Sequence, residues 1–125
     1  MISTVIIKKN SDFARVYRNG RFYTGKYLIL HILKDSPDSI ALGLTISKKV
    51  GKSVRRNRLR RIIKENYRYF EQFIYTGNLF VFVVKARQDG YLPDFFEIRR
   101  DMKSLFIRAG TFDQLKWESS QNGVL

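Results

Sequence analysis

The stretch KKVGKSVRRNRLRRIIKE, residues 48–65, concentrates positive charge to an unusual degree. Nine Lys and Arg residues fall within seventeen positions, and the stretch contains no acidic residue before Glu65. Like charges one turn apart oppose a helix, and Arg56, Arg60 and Lys64 follow one another at that spacing. A phosphate surface removes this repulsion, because each cation that neutralises a phosphate also releases condensed counterions. The stretch therefore predicts a polyanion-binding site rather than a solvated helix face.

A helix must position these cations. We expect it to begin with Ser53 as N-cap and to run to about residue 73, with an apolar stripe at helical spacing from Leu59 to Phe73. Arg grips phosphate oxygens through two donors at once, whereas Lys acts as a point charge, and Asn adds a neutral donor and acceptor. The residues assigned to this site are Lys52, Arg55, Arg56, Asn57, Arg58, Arg60, Arg61, Lys64 and Arg68.

The remaining periodicities predict a small α+β domain. Its other expected elements are a first helix with Ser11 as N-cap that closes at Asn19-Gly20, strands at 25–34, 40–47 and 79–86, and a last helix at 94–109. This order indicates an α/β sandwich whose central sheet has three to four strands. The tail from about residue 112 to 125 is expected to fray, with Trp117 as its one docking side chain.

The strand at 40–47 has two unequal faces. Bulky and small residues alternate along this strand. The bulky ones are Ile40, Leu42, Leu44 and Ile46. The bulky face should meet the core, whereas Ala41, Gly43 and Thr45 leave a shallow floor against which something other than a packed side chain could lie.

Composition narrows the class of protein. The chain has 125 residues, a formal net charge of +13 and no Cys, which fits one domain (residues 1–125), a nucleic-acid partner and a reducing, cytoplasmic setting. No secretory signal or membrane-spanning stretch is expected from the sequence. A membrane surface is disfavoured because the apolar stripe of the charged helix is needed to cover the sheet. DNA is not expected as a partner, since the chain has no helix-turn-helix pair or zinc-ligand spacing.

The segment SKKVGKSVRRNRLRRIIKENYR resembles the signature of the protein subunit of bacterial ribonuclease P, with Arg56-Asn57-Arg58 at its core. The resemblance extends over roughly residues 8–110. It implies an accessory to a catalytic RNA that cleaves the 5′ leader from precursor tRNA. It also implies that the signature helix binds the RNA subunit and joins two parallel strands by a left-handed crossover.

The same resemblance implies a cleft between the first helix and the sheet that holds single-stranded leader. By position, the leader-binding residues would be Phe13, Tyr17, His31, Ser47, Lys48 and Lys49. His31 stands where relatives often carry an aromatic residue on the central strand. Judged from the residues alone, Phe13 and Tyr17 fit a core role, and His31 fits an interior histidine equally well.

No convincing catalytic set is visible in the chain. There is one His without an evident partner, and the carboxylates are scattered except for Asp94, Glu97 and Asp101 on one helix face. We interpret these three as helix-dipole compensation and surface solvation. The resemblance implies that hydrolysis belongs to Mg²⁺ held by the RNA subunit, with no cofactor bound by the protein. The alternatives left open are a structural RNA-binding protein, such as a ribosomal protein, and a stand-alone metal nuclease using the three carboxylates.

Overall fold

A computed structural model describes residues 4–122 of the chain. It contains five strands and four α-helices within this range: β1 Val5–Ile6, α1 Asn10–Asn19, β2 Arg21–Thr24, β3 Leu28–Lys34, β4 Ile40–Thr45, α2 Ser53–Phe70, β5 Asn78–Val84, α3 Phe95–Arg108 and α4 Gln114–Asn122. Short 3₁₀ turns at Lys48–Val50 and Glu71–Phe73 flank α2. The predicted α+β class is confirmed.

The strands form one mixed sheet in the order β1-β4-β5-β3-β2. The pairs β1/β4 and β4/β5 are parallel, and the pairs β3/β5 and β2/β3 are antiparallel. The prediction of three to four strands is wrong because it missed the two edge strands. β1 has only two residues, and β2 has the largely exposed sequence RFYT, so neither carries the apolar pattern of a buried strand.

The sheet separates two apolar layers. Alternate residues of the central strands pack against α2 and α3 in the larger core, which includes the fully buried rings of Phe70, Phe80, Phe82 and Phe106. The opposite face carries a smaller cluster against α1, centred on Val16 and Val81. The predicted two-sided coverage of β3 is partly confirmed, since Leu28, Leu30 and Ile32 are buried whereas the side chains that alternate with them are only half-buried.

Both predicted helix caps are wrong by one or two residues. α1 begins at Asn10 after Lys9, and α2 begins at Ser53 after Lys52, and neither preceding residue makes a capping hydrogen bond with its side chain. Ser53 is therefore the first residue of α2, and the first turn of this helix holds Arg55 with no acidic residue. The first turn of α2 therefore has no acidic side chain that would offset the positive end of the helix dipole.

The C-terminal segment is ordered to a greater extent than predicted. Residues 114–122 form α4, and Trp117 docks it as expected, with its indole Nε1 donating to the Tyr69 hydroxyl at 3.2 Å and Lys103 Nζ lying 3.2 Å from its ring centre. The expectation of fraying from residue 112 is thus wrong up to residue 122. Residues 123–125 lie outside the described part.

Candidate nucleic-acid interface

Helix α2 buries its apolar stripe and exposes most of its cations. Leu59, Ile62, Ile63 and Phe70 are buried against the sheet. The side chains that project away from this stripe are exposed, namely Asn57, Arg58, Arg61, Lys64 and Arg68. Lys52 is also exposed, and Arg55, Arg56 and Arg60 are half-buried at its flanks.

None of the α2 cations is neutralised by a carboxylate within residues 4–122. The two ion pairs found there, Arg15 with Asp12 and Arg87 with Asp89, lie on other elements. Three α2 arginines instead donate to neutral acceptors: Arg55 to the Gly90 carbonyl at 2.6 Å, Arg56 to the Gly51 carbonyl at 3.1 Å and Arg60 to the Asn57 side-chain oxygen at 2.9 Å. These bonds orient guanidinium groups without removing their charge, which remains available to an anionic partner.

The second candidate surface lies on the α1 face of the sheet. The floor predicted from the small residues of β4 is occupied at Gly43, because a Cβ built there would lie 2.7 Å from Cε1 of Phe13. The expectation that no packed side chain lies on this floor is therefore wrong at Gly43. Phe13 is half-buried by this contact, which is intermediate between the core role and the leader-binding role considered for it.

Tyr17 and His31 meet beyond Phe13. The Tyr17 hydroxyl lies 2.6 Å from Thr45 Oγ1, and its ring contacts His31 edge-on with centroids 4.8 Å apart. His31 is half-buried, and this burial lowers the pKa of its imidazole below the ordinary value, which favours the neutral form. A neutral ring can stack and accept a hydrogen bond but adds no charge to the surface.

Phe22 is a neighbouring aromatic residue that was not among the predicted site residues. It pairs with His31 across the β2/β3 ladder, its ring centroid lies 5.7 Å from the imidazole, and 63% of the residue is exposed. Phe13, Tyr17, His31 and Phe22 thus form a continuous aromatic surface. The signal in the sequence was weak because residues 21–24 lack a recognisable strand pattern.

The aromatic surface is open toward one end of the sheet. Thr45, Val83, Ile29 and Thr24 form a cross-strand row on this face, and none of the four is buried. Ser47, Lys48 and Lys49 follow β4 beyond this row and are exposed. The structure therefore places the predicted leader-binding residues on or next to the α1 face of the sheet, with the exposed cations Lys48 and Lys49 beyond the end of β4.

The carboxylates of α3 have structural partners. Asp94 and Glu97 form a reciprocal capping box at the start of α3, which the sequence analysis did not predict. Their position at the helix N-terminus agrees with the predicted compensation of the helix dipole. Glu97 also accepts from the hydroxyls of Tyr27 at 2.6 Å and Tyr91 at 2.5 Å. These bonds and the Asp94 N–H lower the pKa of Glu97 to about 2.

Asp101 differs from the prediction of a solvated surface residue. It is buried and accepts three backbone N–H groups, those of Lys26, Tyr27 and Leu28, at 2.8 to 2.9 Å. Its carboxylate thereby fastens the turn between β2 and β3 to α3. Within residues 4–122 no group of three His, Asp or Glu side chains is arranged to hold a metal ion.

Fold and surface together define a small basic α+β domain with two surfaces suited to RNA, a helix of exposed cations and an aromatic surface on the opposite face of the sheet. A family model described as Ribonuclease P matches residues 1–110. The chain belongs to the family of ribonuclease P protein components.

Individual relatives agree with this family. The ribonuclease P protein component of Clostridioides difficile (strain 630) is 42% identical over 104 residues, covering 82% of this chain and 90% of the relative. That of Clostridium kluyveri is 36% identical, covering 85% and 95% respectively. The solved structure of the RNase P protein from Thermotoga maritima superposes with a TM-score of 0.74 at 25% identity, covering 82% of this chain and 94% of that one.

Membership makes this chain a bacterial-type subunit of an RNase P enzyme, a ribonucleoprotein that processes tRNA, and implies partnership with the RNA subunit. The alternative of a ribosomal-type structural RNA-binding protein is not favoured. Within residues 4–122 no helix combines the length and apolar character that crossing a bilayer requires.

Proposed function

We propose that this chain assists a catalytic RNA in removing the 5′ leader of precursor tRNA, by binding the RNA subunit through α2 and the single-stranded leader in the α1 cleft. The observation that carries the proposal is the exposed cation set of α2, which has no carboxylate partner within the described residues. Bringing two polyanions together is electrostatically costly, and such a helix lowers that cost.

Catalysis is assigned to the RNA. The α3 carboxylates, which would be needed for a stand-alone nuclease, are engaged in a helix cap and a buried turn contact. We therefore expect Mg²⁺ to be held by the RNA subunit, and the protein alone to cleave precursor tRNA very little. Reconstitution of the protein with a bacterial ribonuclease P RNA at near-physiological Mg²⁺ tests this assignment. Equal cleavage with and without the RNA would contradict it.

The contact of α2 with the RNA subunit is tested by Arg58→Ala. Arg58 is exposed on α2, and we expect its loss to weaken RNA-subunit binding about tenfold and to reduce the slope of log affinity against log salt by about one. Arg100→Ala, which removes the same charge from an exposed position on α3, is the matched control. A similar loss for both variants would mean that total charge, and not the α2 surface, governs binding.

The leader cleft is tested by Phe13→Ala and Phe22→Ala. Stacking of an unpaired base on an aromatic side chain contributes about 1 to 3 kcal/mol. Both variants should weaken binding of precursor tRNA with a long leader and leave mature tRNA binding unchanged. Equal weakening for tRNA without a leader would remove the cleft assignment while leaving the α2 assignment intact.

Two expectations from the family resemblance belong to the same proposal. α2 connects the parallel neighbours β4 and β5, and the family is expected to make this crossover left-handed, against the usual preference. The reaction is also proposed to take place in the cytoplasm, because a chain without Cys is compatible with a reducing compartment.

A further inference from the structure

A groove runs along the seam between the edge strand β1 and helix α2. It consists of two adjoining depressions of about 300 and 150 Å³ that share Ile6, Leu42 and Lys64 in their walls. The larger one reaches Glu71, and the smaller one reaches Arg60. Sites for small molecules begin at roughly 300 Å³, so the larger depression can hold one planar ring system.

The apolar floor of the groove is open to solvent at Ile6, whereas Leu42 beside it is only 2% exposed. Ile6 is 45% exposed although its side chain lies on the α2 side of the sheet, in register with the core residue Leu42. Tyr67 closes the inner wall and is itself buried. Covering this exposed apolar surface with an apolar group of a partner is favourable, because it removes the surface from water.

One rim of the groove is a row of cations. Arg60, Lys64 and Arg68 follow one another at one-turn spacing along α2, and no carboxylate lies within 4 Å of them among residues 4–122. This row complements the negative charge of a nucleotide backbone.

The far end of the groove carries an acceptor. Thr4 Oγ1 donates to Glu71, so the Tyr67 hydroxyl, 2.8 Å from the same Thr4 oxygen, is the donor in that contact. Burial raises the pKa of Tyr67, which keeps the hydroxyl protonated and this chain of bonds in place. The Glu71 carboxylate repels phosphate but accepts readily from an amino group on a base edge.

We propose that this groove holds one unpaired nucleotide of the RNA subunit, with its base against Ile6 and its backbone along Arg60 and Lys64. The acceptor at Glu71 sets the orientation, because it favours the base over the phosphate at that end. A continuous RNA duplex would offer only backbone to α2 and leave the floor uncovered, whereas an unpaired base can enter it. This inference rests on the proposed contact between α2 and the RNA subunit.

Two adjacent residues of β1 provide a matched test. Ile6 lines the groove, whereas Val5 is 66% exposed and pairs with Ala41, which places its side chain on the α1 side of the sheet. Ile6→Glu and Val5→Glu therefore change the net charge equally at neighbouring positions. RNA-subunit affinity is measured for both, with melting temperatures as a check of folding. The pair Ile6→Asn and Val5→Asn replaces the first pair if either Glu variant fails to fold.

We expect Ile6→Glu to weaken binding at least tenfold and Val5→Glu less than twofold. Equal weakening by both variants, or no weakening by Ile6→Glu while Arg58→Ala still weakens binding, would overturn the groove site and leave the proposed function standing. If Arg58→Ala has no effect either, the proposed α2 contact itself fails.

A photo-crosslinking amino acid at residue 6 identifies the occupant directly in the reconstituted complex. The expected result is a cross-link to one unpaired nucleotide of the RNA subunit, mapped by primer extension and absent for the same probe at residue 5. A cross-link to a base-paired segment or to another part of the protein chain would overturn the proposal, as would the absence of any RNA cross-link specific to residue 6.

Discussion

Replacement of Gly43 by Ala tests how the aromatic surface is built. The new Cβ would lie 2.7 Å from Cε1 and 3.0 Å from Cζ of Phe13, whereas ordinary contacts begin at 3.4 Å. The ring must therefore move by about 0.7 Å (3.4 minus 2.7). Ala adopts the extended conformation of β4 without strain, so the effect reports on Phe13 rather than on the backbone.

Two measurable losses follow from that displacement. Overpacking of this kind destabilises a domain by about 1 to 3 kcal/mol. If the displaced ring no longer stacks on a leader base, binding of precursor tRNA loses a further 1 to 3 kcal/mol, roughly 5- to 150-fold in affinity. Mature tRNA, which has no leader, should bind the reconstituted enzyme as before.

A double-mutant cycle with Phe13→Leu separates this mechanism from a general loss of stability. The smaller side chain relieves the clash, so the cost of Gly43→Ala should fall by about 0.5 to 3 kcal/mol in the Phe13→Leu background. Thermal unfolding measures the cycle, and binding of long-leader substrate measures its functional counterpart. An unchanged melting temperature for Gly43→Ala, or strict additivity of the two substitutions, would refute the packing of Phe13 on Gly43.

Three further predictions concern the tertiary contacts of α3 and α4. Asp101→Asn replaces one acceptor oxygen of the carboxylate by an amide donor that faces a backbone N–H. We expect the substitution to lower the free energy of unfolding, measured with denaturant, by about 2 to 4 kcal/mol. The exposed control Asp38→Asn should change it little. Because the pKa of Glu97 is lowered in the folded state, its stabilising contribution is present above its ordinary value of 4.5 and is lost as pH falls toward about 2. Glu97→Gln should therefore flatten the decline of melting temperature over that pH range, and an unchanged profile would contradict the assignment. Trp117→Ala should cost about 1 to 3 kcal/mol of stability and release α4, detectable as faster amide exchange, whereas Leu115→Ala, at a residue 79% exposed, should have no such effect.

Local periodicity explains why much of this protein could be predicted. The strands of the core, the basic helix and α3 each follow from the spacing of apolar and charged residues within a short window. The charge on α2 is equally a property of the sequence, because no acidic residue lies near enough in the chain to neutralise it before Glu65.

The edge strands could not be predicted in the same way. β1 and β2 exist because β4 and β3 offer them hydrogen-bonding partners, and neither has an apolar pattern of its own. Edge pairing then places Phe22 beside His31 and Ile6 beside α2, so both new candidate binding residues depend on elements that the pattern missed.

The sequence by itself determined the identity of the elements in the core and the cationic character of α2, because these depend on neighbours within a few turns or strand residues. Only the tertiary structure decided how distant groups meet. Asp101 lies 73 to 75 residues from the three N–H groups it accepts, and Phe13 closes on Gly43 from another element. Such contacts arise from the packing of whole elements, and the spacing of residues along the chain does not encode them.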